Sequence, residues 1–277
     1  MVGELFIVST PIGNLNDITL RAIQTIKDVD FILAEDTRVA RKLLNHLGIK
    51  ANLQSLNEHN ELKKIPIVLS HLSKGKNIAL ICDAGTPLIS DPGFQLVKRA
   101  KKESLRVIPI PGCSAAIAAL TASGIPTDRF YFYGFLPKTK NKRLDALKTL
   151  VTKEESIILY ESVHRLSSSI EDMIKVFGKS HIAVLCKEIT KLHEEFIGNN
   201  LEEIRLFLMD NPSKIKGEFT LILNGKESSE EPNTEKIDSI LKELLPIVSV
   251  KVAVKICSIS TGFNKNKIYK RAIELKS

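Results

Sequence analysis

The chain opens on a short apolar run, residues 5–9, of the length a buried strand needs, and the run stops at Thr10, Pro11, Ile12, Gly13 and Asn14. The same succession of apolar run, shaped turn and amphipathic segment then repeats. Leu20, Ile23, Ile26 and Val29 recur at helical spacing, and residues 31–36 form a second buried strand with two carboxylates at its end. Val39, Leu43, Leu44 and Leu47 predict the next helix, with Thr37 as a cap and Gly48 as a stop signal. Residues 59–75 predict a helix interrupted near Pro66, because proline lacks the backbone donor and clashes with the preceding turn. A strand over 78–81, a helix over 94–102, a strand over 105–110 and a small-residue helix from 115 follow. This β-α order, with strand ends near Ser9, Asp36, Asp83 and Ile110, implies a mostly parallel sheet covered on both faces.

Beyond Pro126 the texture changes. Strands are predicted over 130–135, 156–160, 182–187 and 218–223, with a short extra one over 194–197, and helices over 144–150, 163–177 and 201–209. In the first of these strands Tyr131, Tyr133 and Phe135 alternate with Phe130, Phe132 and Gly134, which reads as a strand buried on both faces rather than a stacking platform for bases. The polar stretch 225–235 is a linker by composition, and short helices are predicted over 237–245, 250–258 and 264–275, the last beginning after Gly262. The expected fold class is α/β, with two α/β domains over 1–115 and 116–225 and a linker with a small, basic, helical C-terminal tail over 226–277.

Composition narrows the function classes. A chain of 277 residues with 43% hydrophobic content can bury a sizeable core. No window approaches the length of a membrane span, and the N-terminal residues lack a basic segment before their apolar run, so a cytoplasmic protein without a membrane partner is expected. Cys82, Cys113, Cys186 and Cys257 form no CxxC pair and fit reduced, mostly buried thiols, so no metal site is expected. The net charge of +8 favours an anionic partner. Within 251–277 seven cations face one carboxylate, leaving +6, and a second cluster, Lys138, Lys140, Lys142 and Arg143, follows Pro137. Either cluster could equally be a solvated lysine face.

Neither GxGxxG, GxxxxGK[ST] nor GxSxG occurs, which argues against the usual dinucleotide fold, a P-loop nucleotidase and an α/β-hydrolase. What remains are turns rich in glycine and proline at strand ends: Pro11 to Asn14, Asp83 to Pro87 with Asp91, Pro92 and Gly93 beyond, and Pro111 to Ala115. Ends of parallel strands are where open α/β sheets bind ligands, and turns of this kind suit a polar, non-phosphate ligand such as an adenosine with an amino-acid moiety.

In this order, STPIGNLNDIT, AEDTR, DAGTPLISDPG, the PG-x-SA loop, the RFYFYGFLP strand, LYESVHR, KEITK and KGEFTL resemble the tetrapyrrole (corrin/porphyrin) methylase superfamily. The likeness spans residues 5–225 and continues more weakly through the basic tail. It is strongest to the branch that methylates the ribose 2'-oxygen of a cytidine in 16S rRNA. Cys113 departs from the family, whose members often carry proline there.

The resemblance implies a bilobal, tetrapyrrole methylase-like protein with S-adenosyl-L-methionine (SAM) in the cleft between its domains. It also implies a homodimer, and 16S rRNA or the small ribosomal subunit as partner. Carried across residue by residue, it places Pro11 beside the cofactor and Asp83, Ala84, Gly85, Thr86 and Pro87 around its methionine end. Ser114 and Ala115 contact it from the next strand, and Leu159, Tyr160, Lys187, Glu188, Phe219 and Thr220 meet the adenine and ribose. A ribose hydroxyl needs a proton acceptor, for which Glu35, Asp36, Asp91, Glu161 and His59 are candidates and Asp36 and Asp91 the preferred ones. Asp36 could instead cap a helix with Arg38 as its ion-pair partner, and Arg165 could contact phosphate or pair with Glu161 four residues away. RNA phosphates are expected at Lys138, Lys140, Lys142 and Arg143 and along the tail at Lys265, Lys267, Lys270 and Arg271. Two other readings are a tetrapyrrole C-methyltransferase and a non-catalytic RNA-binding assembly factor. The AEDTR and YESVHR segments and the basic tail favour the RNA branch.

Overall fold

Strands with no polar interruption must be covered on both sides, and the first sheet is built that way. In the computed structural model, which describes residues 2–226, 234–261 and 263–276, β1 (Glu4–Val8), β2 (Phe31–Ala34), β3 (Leu53–Ser55), β4 (Ile78–Ile81) and β5 (Arg106–Ile110) pair in the order β3-β2-β4-β1-β5. All four pairings are parallel. The two-residue repeat sends Ile32 and Ala34 to one face, against Ala22 and Ile26 of α1 (Leu20–Asp28) and Ala40 and Leu44 of α2 (Thr37–His46). Phe31 and Leu33 go to the other, against Ile65, Val68, Leu69 and Leu72 of α3 (Glu61–Ser73) and Leu96 of α4 (Phe94–Lys102).

Two details differ from expectation. Helix α3 runs straight through Pro66. Its buried stripe outweighs one missing hydrogen bond, and the carbonyl left without a donor belongs to Leu62, which is 72% exposed and open to water. The edge strand β3 is too short and polar to stand out by periodicity. Helix α4 begins at Gly93, which has no side chain to cap it, and buried Glu61 supplies the acceptor from α3, taking the Leu96 amide at 3.0 Å.

The second sheet has the order β6-β7-β10-β8-β9, from β6 (Phe130–Phe135), β7 (Ser156–Glu161), β8 (Ala183–Lys187), β9 (Glu195–Ile197) and β10 (Phe219–Leu223). Only β6 and β7 are parallel. Helices α6 (Lys140–Leu150), α7 (Leu166–Phe177) and α8 (Leu201–Asp210) cover one face. The other is covered by α5 (Ala115–Ala122), whose Ala116, Ala119 and Leu120 pack with Ile158, Val184, Cys186 and Ile222. Ile12, from the loop after β1, belongs to the same cluster, so that loop packs against this face of the second sheet. Strand β6 is an edge, with Phe130, Tyr131 and Phe135 exposed by 44%, 39% and 51%, which corrects the expectation of a strand buried on both faces. Its partner lies on one side only.

By compactness residues Met1–Lys226 form one unit and Glu227–Ser277 another. In the second, α9 (Thr234–Leu244), α10 (Val250–Thr261) and α11 (Lys265–Glu274) close around Ile237, Leu241, Ala253, Val254, Cys257, Ile268 and Ala272. Most of the linker expected over 225–235, and Gly262, lie outside the described residues. Cys82, Cys186 and Cys257 are buried, Cys113 is half-buried, and all four thiols are free. Among the described residues no helix is long and apolar enough to cross a membrane, and no cluster of metal-ligating side chains occurs.

Candidate functional site

Three turns at the carboxyl ends of β1, β4 and β5 are latched together. Thr10 and Gly85 exchange two backbone hydrogen bonds, 2.8 Å from the Thr10 amide and 3.1 Å from the Gly85 amide. The Thr86 hydroxyl donates to the Cys113 carbonyl at 2.9 Å, so the Ser9 hydroxyl, 3.0 Å away, is the donor to Thr86. The Thr10 hydroxyl donates to the Cys82 carbonyl at 3.3 Å. From the loop after β8, the Thr190 hydroxyl accepts the Asn14 amide at 3.1 Å. Backbone strain gathers in the same loops: besides Gly85 (φ 83°), Leu88 (74°), Ser90 (69°), Glu188 (49°) and Thr190 (68°) sit in the left-handed region that L side chains avoid.

Between these turns and the second sheet lies a crevice of about 430 Å³, within the size range of small-molecule sites. Ala84, Gly85, Thr86, Ser114, Ala115, Tyr160, Phe219 and Thr220, all anticipated as cofactor contacts, line it, and so does Asp91. Sequence reasoning did not assign Ile12, Ile89, Ser90, Phe135, Ser162, Val163, His164, Gly217 and Glu218, which complete the wall with Glu161. The signal for residues 161–164 was the YESVHR motif itself. A larger open groove of about 780 Å³ between α3 and α4 lacks the convergent strand-end turns.

The other anticipated contacts fall elsewhere. Pro11 and Pro87 are buried off the crevice wall, and Asp83 stands beside it with its carboxylate accepting the Asp36 amide at 3.0 Å. Leu159 is fully buried in the core on the far face of the sheet, so its side chain cannot reach the crevice. Lys187 and Glu188 line a separate depression of about 600 Å³. The Glu188 carboxylate is occupied there by Lys191 at 2.8 Å and the Glu218 amide at 2.9 Å.

The carboxylates at the ends of β2 and β4 crowd one another. Burial, followed by the charges of Asp91, Asp83, Glu58 and Asp36, pushes the Glu35 carboxyl up to about 7. Burial also raises Asp91, against a hydrogen bond to Cys82, and raises Asp83. Asp36 goes the other way: the Arg38 fork at 2.6–3.1 Å and the Arg38 amide at 2.8 Å hold it down at about 2. It caps α2 and lies off the crevice wall, so the preference for Asp36 as proton acceptor is revised. Tyr160 is raised by burial and accepts the Ala116 amide at 3.2 Å.

Three of the anticipated RNA cations are already engaged within the chain. Arg143 is buried and paired with buried Asp172 at 2.6 Å, with side chains only 5% and 2% exposed, so it ties α6 to α7 and offers nothing to a phosphate. Arg165 grips Glu161 at 2.7 Å and the Leu136 carbonyl at 3.0 Å. Arg271 is half-buried between Asp238 at 2.6 Å and Glu274 at 2.8 Å. Lys138, Lys140 and Lys142, and Lys265, Lys267 and Lys270 on α11, are exposed.

Comparison with known proteins agrees with this architecture. Residues 4–205 match the family described as Tetrapyrrole (Corrin/Porphyrin) Methylases, and residues 231–276 match the RsmI C-terminal HTH domain. The chain is 45% identical to the Ribosomal RNA small subunit methyltransferase I of Haemophilus influenzae, over 97% of this chain and 96% of that one. To the protein of the same name from Halalkalibacterium halodurans it is 43% identical, over 96% and 93%. Among solved structures, diphthine synthase superimposes with a TM-score of 0.61 at 14% identity, covering 80% of this chain and 90% of that one. Uroporphyrin-III-C-methyltransferase from Thermus thermophilus gives 0.57 at 18%, covering 81% and 94%. These two likenesses bear on the fold alone. With both of its segments matched and identities above 40% along nearly its whole length, the chain belongs to the tetrapyrrole methylase family and, within it, to the group of the ribosomal RNA small subunit methyltransferases I.

Proposed function

We propose that the chain is a SAM-dependent methyltransferase acting on the ribose 2'-hydroxyl of a cytidine in 16S rRNA of the small ribosomal subunit. The observation that carries this reading is the 45% identity to a protein named for that subunit, over 97% of this chain, tail included. The crevice suits the cofactor. Ala84, Gly85, Ala115 and Gly217 leave room on its wall, Tyr160 and Ile89 supply apolar surface, and the carboxylate of Asp91 suits a cationic sulfonium. Pro11, Asp83, Pro87, Leu159, Lys187 and Glu188 would then support the site rather than touch the ligand. When bound, SAM supplies an activated methyl group on a sulfonium sulfur.

The chain's own contribution is orientation and proton handling. Holding reactants in line is worth effective molarities of about 10⁵ M or more in intramolecular models, and the latched turns supply rigid walls for it. Asp91 lies on the crevice wall and is the acceptor we assign. Lys138, Lys140 and Lys142, with the exposed lysines of α11, meet phosphates. The domains run over 1–115, 116–225 and 226–277, the active species is a homodimer, and a ribosomal substrate places it in the cytoplasm. Sedimentation of the purified chain tests the dimer.

The deciding experiment incubates the chain with methyl-labelled SAM and either small ribosomal subunits or a porphyrinogen, then maps ribose methylation by mass spectrometry. Label on a 16S cytidine ribose is expected. Label on the porphyrinogen alone would overturn the reading, and calorimetry without SAM binding would leave a non-catalytic assembly factor.

A further inference from the structure

Phe135 occupies a position that regular strand alternation would deny it. Strand β6 pairs Phe132 with Ile158, but after an irregularity Gly134 lies opposite Leu159 and Phe135 opposite Tyr160. Ile158 and Tyr160 face α5, whereas Leu159 faces the core beneath α6, α7 and α8. Without the extra residue, Phe135 would share the face of Tyr133, which packs into that core. The bulge, made possible by Gly134 at φ 78°, turns the ring onto the crevice face instead. There it meets Tyr160 edge-on, with centroids 5.5 Å apart, and stays half exposed.

The surroundings hold the ring in place. Arg165, bound to buried Glu161, takes the carbonyl of Leu136 next door, so the chain is fixed immediately after the ring. A Cβ on Gly134 would come within 3.1 Å of the Ser90 hydroxyl, so the strained loop after β4 abuts the bulge. Exposed Lys138, Lys140 and Lys142 follow within a few residues. An exposed ring at a crevice mouth, continuous with a run of cations, is the combination that receives a nucleotide: a π-face for the base and charge for its phosphates.

We propose that Phe135 is a substrate-positioning residue on which the base of the acceptor nucleotide stacks, an assignment that rests on the RNA methyltransferase reading above. Stacking of an unpaired base draws its ribose toward the crevice, where Asp91 lies on the wall. The test measures SAM affinity by calorimetry and initial rates against small-subunit concentration for the unsubstituted chain, Phe135→Ala and Phe135→Trp. In Phe135→Ala the KM for subunits is expected to rise about 10-fold while SAM affinity stays within about two-fold, and Phe135→Trp is expected to restore the KM. A KM that does not rise overturns the assignment, as does a parallel loss of SAM affinity, which would make the ring part of the cofactor site. If the unsubstituted chain binds SAM but methylates no RNA, or binds none, the underlying reading fails along with it.

Discussion

Gly85 is a residue at which the site leaves little freedom for a side chain. Its φ of 83° excludes most side chains, and a Cβ would come within 3.2 Å of Ile12. Gly85→Val is expected to weaken SAM binding at least about 100-fold in calorimetry, at a stability cost of about 1–3 kcal/mol that leaves the chain folded. Retained affinity would remove the turn from the site. Glu35 carries the pH dependence. Its folded carboxyl is raised from 4.5 to about 7, so the folded state favours the protonated form. The associated stability is complete below the unfolded value and is lost as pH rises through about 7. Glu35→Gln is therefore expected to leave stability at pH 4 nearly unchanged and to raise it at pH 8 by about 1 kcal/mol in urea titrations, a figure already reduced for solvent screening. A variant that loses stability at pH 8 would contradict this.

At the scale of elements, the buried pair between α6 and α7 matters more than its place in a basic run suggests. Arg143→Ala would leave Asp172 facing only Lys175, at 3.0 Å, and is expected to cost about 3 kcal/mol, read from the denaturation midpoint. At a temperature where the variant is folded, its salt slope for subunit binding should match that of the unsubstituted chain. A shallower slope would return Arg143 to the phosphate contacts. Nothing in the sequence marks Asp172 as the partner, because the pairing depends on how two helices lie on a sheet. The same holds for Glu61 and the start of α4. By contrast, the parallel strands and their helices were legible, since Phe31 to Ala34 alternate between two covered faces. The turn around Gly85 was legible because glycine and proline announce unusual backbone. The turned ring of Phe135 escapes a reading by unbroken alternation, although an isolated glycine inside a strand is itself a signal for a bulge.

For the whole molecule, the tail is separable by construction. Helices α9, α10 and α11 enclose a core of their own, and the crevice is built from residues before 221. A chain ending at Lys226 is expected to keep SAM affinity within about two-fold, while binding to small subunits weakens and its salt dependence flattens, since each phosphate contact contributes to that slope. An unchanged slope would make the lysines of α11 bystanders. The latch between Thr10 and Gly85 reaches further. Each spends its amide on the other's carbonyl, so neither donor is on offer to a guest. Those two amides serve the frame that props the recess open, so recognition of its contents falls to the remaining groups of the wall. A scaffold of this kind can be re-tuned to a new occupant without rebuilding the frame around it.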